Sequence, residues 1–187
     1  MANAPQVKKG WFSTAGRPGD RELADQLKGL DWLLANCKGK TVLDAGCAEG
    51  LISIELAKAG AVAVHGVEIV RGHVEVGNRL RGDLPVTLEV ADLNTWRPKR
   101  DYDIVIGLAI LQKLRDPTGA AYALAEAARE EVIFRLPPAT APIIIDERSH
   151  NKPHNIARVM DRAGFALLEY GYDGHLSEWV GRWRRRR

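Results

Sequence analysis

Two spacings of hydrophobic residues alternate along this chain. Short apolar runs at 41–45, 61–67, 86–90, 102–108, 131–136 and 165–172 read as strands. Between them, apolar residues three or four apart predict helices at 50–59, 71–80, 118–129 and 153–163. Ahead of the first strand, Leu23, Leu27, Leu30, Leu33 and Leu34 share one face of a helix expected from a cap at Asp20 to Asn36. Gly60 and Gly164 end helices, and Pro137-Pro138 ends a strand. Asp173-Gly174 makes a turn, and a seventh strand follows at 178–183.

Nearly continuous apolar strands alternating with helices imply an α/β fold with a parallel sheet covered on both faces. The last two strands are joined too tightly for a helical crossover, so they must run antiparallel. One domain at 20–183 is expected, with an irregular arm at 1–19 and a basic tail at 184–187. Trp11, Phe12 and Arg17 in that arm either fold over a ligand mouth as a lid or trail as a tail; the residues leave both open. No apolar stretch approaches the roughly 20 residues of a membrane span. No secretory-type segment opens the chain, so the cytoplasm is the default and no membrane partner is expected.

Charge changes the picture less than its total of +3 suggests, because five arginines fall in the last six residues. Without them 22 basic and 24 acidic residues remain, which does not indicate a basic nucleic-acid-binding body. The terminal arginines themselves read as a solvated tail. Cys37 and Cys47 make no C-x-x-C pair and no disulfide framework.

The chemistry concentrates in Val42-Leu43-Asp44-Ala45-Gly46-Cys47-Ala48-Glu49-Gly50. A strand ends in an acid, three small residues fall at alternate positions, and a helix begins. Small side chains let a ligand lie against bare backbone and face helix N–H groups. Cys47 reads as a small filler beside that ligand. A dinucleotide site needs G-x-G-x-x-G, and Leu51 occupies its last glycine position.

This segment resembles motif I of the class I S-adenosylmethionine (SAM) dependent methyltransferases, with Ala48 where their middle glycine usually stands. The resemblance covers roughly residues 40–183. It implies a three-layer α/β/α sandwich whose seven-stranded, mostly parallel sheet has the order 3-2-1-4-5-7-6, with strand 7 antiparallel. It also implies SAM as cofactor and S-adenosylhomocysteine (SAH) as product. Gly46, Ala48 and Gly50 would form the cofactor turn, and Asp44 would meet the amino-acid end, often through water. Glu68, with Ile69 beside it, resembles motif II and would accept from both ribose hydroxyls. Asp92 and Leu93 resemble motif III and would meet the adenine. Gly107 and Leu108 would contact the methionine portion through backbone carbonyls. The segment 107–117 is similar to one that ends His-His-Leu-x-Asp-Pro in small-molecule enzymes, but Gln112 and Lys113 replace the histidines.

Methyl transfer from a sulfonium needs chiefly alignment and exclusion of water. Candidate catalytic residues are His150 and His154, after the strand at 131–136, either of which would deprotonate or position an acceptor. No metal is expected: Pro153 lies between these histidines and no carboxylate ligand accompanies them. The chain lacks the Asn/Asp-Pro-Pro-Tyr/Phe motif of base-amino methyltransferases and the Pro-Cys pair of carbon-5 enzymes, and no Lys-Asp-Lys-Glu set aligns. A small-molecule acceptor methylated on O or N is the leading expectation. An RNA acceptor gripped by the arginine tail and a non-catalytic SAM-binding partner protein are the alternatives. The arm, the 137–155 segment and a homodimer partner are the candidate walls of the acceptor pocket.

Overall fold

The computed structural model describes residues 9–136, 153–173 and 178–187. It opens with two short strands, β1 (Gly10–Phe12) and β2 (Gly19–Arg21), paired in parallel. Helices α1 (Leu23–Leu27) and α2 (Asp31–Asn36) follow. Next come β3 (Thr41–Ala45), α3 (Leu51–Lys58), β4 (Ala63–Glu68), α4 (Arg71–Leu80), β5 (Val86–Val90) and β6 (Tyr102–Leu108). After a 3-10 turn at Leu111–Lys113 stand α5 (Pro117–Glu126), β7 (Ala128–Leu136), α6 (Pro153–Arg162), β8 (Phe165–Asp173) and β9 (Glu178–Arg185).

Strands β3 to β9 form one seven-stranded sheet in the order β5-β4-β3-β6-β7-β9-β8. Numbered from β3, this is the expected 3-2-1-4-5-7-6. The first five strands are parallel, and β9 runs antiparallel to both β7 and β8. Successive residues of the central strands serve opposite cores. Leu43, Val105, Val132 and Phe134 join α5 and α6 on one face. Val42, Ile104, Ile106 and Ile133 join residues of α2, α3 and α4 on the other. The pleat sends neighbours to opposite sides, so a sheet covered twice needs the continuous apolar runs seen in the sequence.

Three expectations change. The arm is not wholly irregular, since β1 and β2 pair within it. The predicted 20–36 helix is two helices, and Asp20 lies in β2 instead of capping a helix. The break has a partner: Arg135, fully buried on β7, donates to the carbonyls of Gln26 (2.9 Å) and Lys28 (3.1 Å) and to Gln26 Oε1 (3.3 Å). Gly29, in the left-handed region, breaks the helical ladder there, and the guanidinium takes the carbonyls the break leaves free.

The third change concerns the arginines. Strand β9 runs through Arg185, so Arg184 and Arg185 belong to the sheet and not to a solvated tail. Glu131, 5% exposed, takes Arg182 Nε at 2.9 Å and Arg184 Nη2 at 2.6 Å. Arg182 also stacks over Trp32, and Arg185 donates to the Ala128 (2.7 Å) and Ala125 (3.1 Å) carbonyls at the end of α5. Trp183 is buried against Phe134, and Trp179 stacks on Tyr170 at 4.8 Å. At the other end of the domain, α5 starts at Pro117, with Asp116 accepting from Gly119 N–H as its cap.

Candidate active site

A cavity of about 250 Å³ opens at the carboxyl ends of β3, β4, β5 and β6. Strand order reverses between β3 and β6, and ligands of open α/β sheets bind outside such a switch point. Gly46 and Ala48 follow β3; Glu68 ends β4, with Ile69 and Val70 after it. Asp92, Leu93 and Asn94 follow β5, and Leu108 ends β6, with Ala109, Ile110 and Lys113 after it. His73 of α4 and Trp11 of the arm complete the lining.

The glycine loop is held from below. Gly46 and Cys47 N–H groups donate to the Val67 carbonyl at 2.8 and 3.1 Å. Glu68 Oε2 accepts from Ala48 N–H at 3.0 Å, and Glu68 Oε1 from Val70 N–H at 2.8 Å. A side chain at Gly46 would put its Cβ 2.6 Å from Ile110 Cγ1, so only glycine lets the β3 and β6 loops meet. Ala48 and Ala109 both have positive φ, 50° and 55°, a region costly for residues with a Cβ. Such strain concentrates where a surrounding structure fixes a functional loop.

Of the ten residues expected at the cofactor, seven line this cavity: Gly46, Ala48, Glu68, Ile69, Asp92, Leu93 and Leu108. Asp44, Gly50 and Gly107 do not. Asp44 lies behind the loop, 2% exposed, accepting from Ser53 Oγ at 2.7 Å. Burial, with a smaller push from the Glu68 charge, drives its carboxyl up to about 6 against the Ser53 hydrogen bond. Gly50 precedes α3 and faces Leu88, and Gly107 packs on Phe134. At Asp92, Oδ1 accepts from Asn94 N–H (2.9 Å) and Nδ2 (2.7 Å), and these bonds hold its carboxyl below the usual range. His150 lies outside the described residues. His154 falls within α6, and its side chain lies outside them too.

The site also contains residues that pattern reading missed. Glu49, fully buried in the glycine loop, accepts from the N–H groups of Trp11 and Phe12, both at 3.0 Å. Arg17 Nη1 and His73 Nε2 each lie 3.4 Å from Glu49 Oε1. His73 Nδ1 is buried without a hydrogen-bond partner. Lys113 Nζ sits 4.2 Å from the centre of the Trp11 ring. Partial burial pushes the Lys113 ammonium below the usual lysine range, while Glu68 and Glu178 pull it back; exposure at the rim limits the shift. The available signal was the lone charge at Glu49 between two small residues, which needs partners if the loop is buried.

The comparisons with known proteins agree with this geometry. Residues 42–130 match the family model of a methyltransferase domain. Over 87 residues the chain is 32% identical to the ribosomal protein L11 methyltransferase of Laribacter hongkongensis, spanning 46% of this chain and 29% of that protein. It is 28% identical over 122 residues to a ubiquinone biosynthesis O-methyltransferase of Coxiella burnetii, 63% of this chain and 51% of that one. The chain thus spans about half or less of these curated relatives. The crystal structure of magnesium protoporphyrin IX methyltransferase from Synechocystis PCC 6803 with bound SAH matches with a TM-score of 0.74 at 22% identity, over 87% of this chain and 84% of the other. Residues 42–130 thus carry the match to a methyltransferase domain, on a fold shared with SAM-dependent methyltransferase structures.

Proposed function

We propose that this chain is an active SAM-dependent methyltransferase acting on an oxygen or nitrogen of a small acceptor. The observation that carries the reading is one cavity floored by the glycine loop and flanked by Glu68 and Asp92 at successive strand ends. When bound, SAM supplies an electrophilic methyl on a sulfonium. The residues present fit such a ligand: a bare backbone turn, two carboxylates for hydroxyl and amino donors, and the unpartnered His73 Nδ1. Glu68 retains lone pairs beyond its two backbone bonds and would take the ribose hydroxyls. Asp92 would accept from the adenine amino group. Ile110, Leu114 and Trp11 give the cavity an apolar lining that would exclude water.

Lys113, beside Trp11 in the lining, offers a cation that suits an acceptor with an acidic hydroxyl or carboxyl group. Such an acceptor needs little help from a base near neutral pH. His150 and His154 stay candidates for an acceptor that holds its proton. The relatives support a small-molecule acceptor by name, in ubiquinone biosynthesis and in magnesium protoporphyrin IX methylation, while one names a ribosomal protein. Against the RNA reading stand the partners of the expected grip residues: Glu131 for Arg184, the Ala125 and Ala128 carbonyls for Arg185 and Asp161 for Arg186. Among the described residues no helix is long and apolar enough to cross a membrane.

Calorimetric titration with SAM and with SAH tests the reading, with Asp92→Ala as control. Micromolar binding that the substitution weakens supports it, and labelled SAM then identifies the acceptor in extracts. Folded protein that binds neither ligand overturns it. Binding without methylation of any extract favours the non-catalytic partner instead.

A further inference from the structure

We propose that Glu49 is a positioning residue that fastens the amino-terminal arm to the glycine loop and so makes Trp11 a wall of the cofactor cavity. The inference rests on the methyltransferase reading of that cavity. Glu49 is completely shielded from solvent, and a buried carboxylate is costly unless donors surround it. Most of its donors come from the arm: the N–H groups of Trp11 and Phe12 at 3.0 Å and, more loosely, Arg17 at 3.4 Å. The remaining one, His73, itself lines the cavity.

The arm is shaped for this contact. Its strands β1 and β2 pair with each other, and Thr14 and Arg17 exchange backbone hydrogen bonds at the bend between them. A Cβ on Gly10 would stand 2.7 Å from Glu49 Oε1, so the strand approaches the carboxylate as closely as a bare backbone allows. Phe12 is buried in the core beneath, which anchors one side of the strand. Trp11 faces the cavity, where Lys113 covers its ring. The arm therefore bridges the loop after β3 to the loop after β6, across the switch point of the sheet.

Two consequences follow. Trp11 shields the cavity from water only while Glu49 holds its backbone, so Glu49 acts on the site through another residue. Cofactor binding and arm attachment must also strengthen each other by the same factor, because coupling between two equilibria is reciprocal.

The test compares full-length wild type with Glu49→Ala, Glu49→Gln and Gly10→Val. Amide hydrogen exchange at Trp11 and Phe12 is read with and without SAH, and SAH affinity is measured by calorimetry. In wild type, SAH slows exchange of both amides about tenfold, within the common range of coupling strengths. Glu49→Ala abolishes that protection and weakens SAH about tenfold. Glu49→Gln recovers part of both, since its amide oxygen still accepts an N–H. Gly10→Val gives the loss from the arm side with the glycine loop unaltered, and it carries the test if Glu49→Ala fails to fold.

Variants that release the arm yet bind SAH within twofold of wild type overturn this proposal and leave the methyltransferase reading intact. So does a Gly10→Val chain that loses protection but keeps affinity while Glu49→Ala loses it, for Glu49 would then act within the loop alone. Folded wild type that does not bind SAH overturns both.

Discussion

Glu49 and Glu131 are both nearly sealed from solvent, and each holds one end of the chain, but their partners differ in kind. Glu131 takes the guanidinium groups of Arg182 and Arg184 on the adjacent strand, with nitrogen–oxygen distances down to 2.6 Å. Glu49 takes two peptide N–H groups, with Arg17 and His73 only at 3.4 Å. Water can replace a carboxylate at a peptide N–H more easily than at a paired guanidinium in a sheet. The carboxyl-terminal clamp is thus a permanent part of the fold, whereas the amino-terminal one is held by bonds that water can replace. The same residue type serves stability in one place and the site in the other, and the nature of its donors decides which.

The largest expected effect is on the permanent clamp. Glu131→Ala strands two arginines and should cost about 3 kcal/mol, lowering Tm by roughly 10 °C. SAH affinity should stay within twofold. Loss of SAH binding at unchanged Tm would erase the distinction between the clamps.

A third buried carboxylate sharpens it. Among the described residues Asp44 has a single hydroxyl donor and no cation beside it, and burial raises its pKa from 3.8 to about 6. The folded state therefore binds a proton that the unfolded state has released. This contribution to stability is complete below about pH 4 and is lost as pH rises through 6, by about 3 kcal/mol. Urea unfolding of the ligand-free protein should show wild type losing that much relative to Asp44→Asn between pH 4 and 7. A difference that stays flat with pH would show that Asp44 is as well compensated as Glu131.

Lys113→Met removes the cation over Trp11 without touching either clamp. With an acidic acceptor, kcat/KM should fall about tenfold, equivalent to about 1.4 kcal/mol, while SAH affinity holds. Equal loss with acidic and neutral acceptors would assign Lys113 to packing on Trp11. The smallest effect belongs next to Glu49: Ala48→Gly relieves a left-handed alanine and should stabilise the protein by about 1 kcal/mol in thermal melts. No gain would mean the loop relaxes without strain.

Much of this was readable from residue order. The runs at 41–45, 86–90 and 102–108 became β3, β5 and β6 with the boundaries expected, because strands buried on both faces leave a continuous apolar signature. Gly46, Glu68 and Asp92 could be located because each ends or follows such a strand. Less readable were features whose cause lies far away in sequence. The leucine stripe at 23–34 has helical spacing throughout, yet Gly29 turns left-handed at its middle, and Arg135, more than a hundred residues on, holds the Gln26 and Lys28 carbonyls exposed by that break. The closing arginines have the composition of a solvated tail. Glu131, Trp32 and the end of α5 give them partners that no local pattern announces.

By itself, then, the sequence determined the strands, the helices between them and the strand ends where a cofactor would sit, while the order of the sheet was implied by the family resemblance. Strands, helices and strand ends depend on local periodicity and on glycines at turns. Tertiary structure decided what the charges do: Asp44 turned behind the loop, Glu49 turned to the arm, and the arginines spent on Glu131 and α5. A charge is defined by the donors and acceptors around it, and in this fold those come from distant segments that only packing brings together.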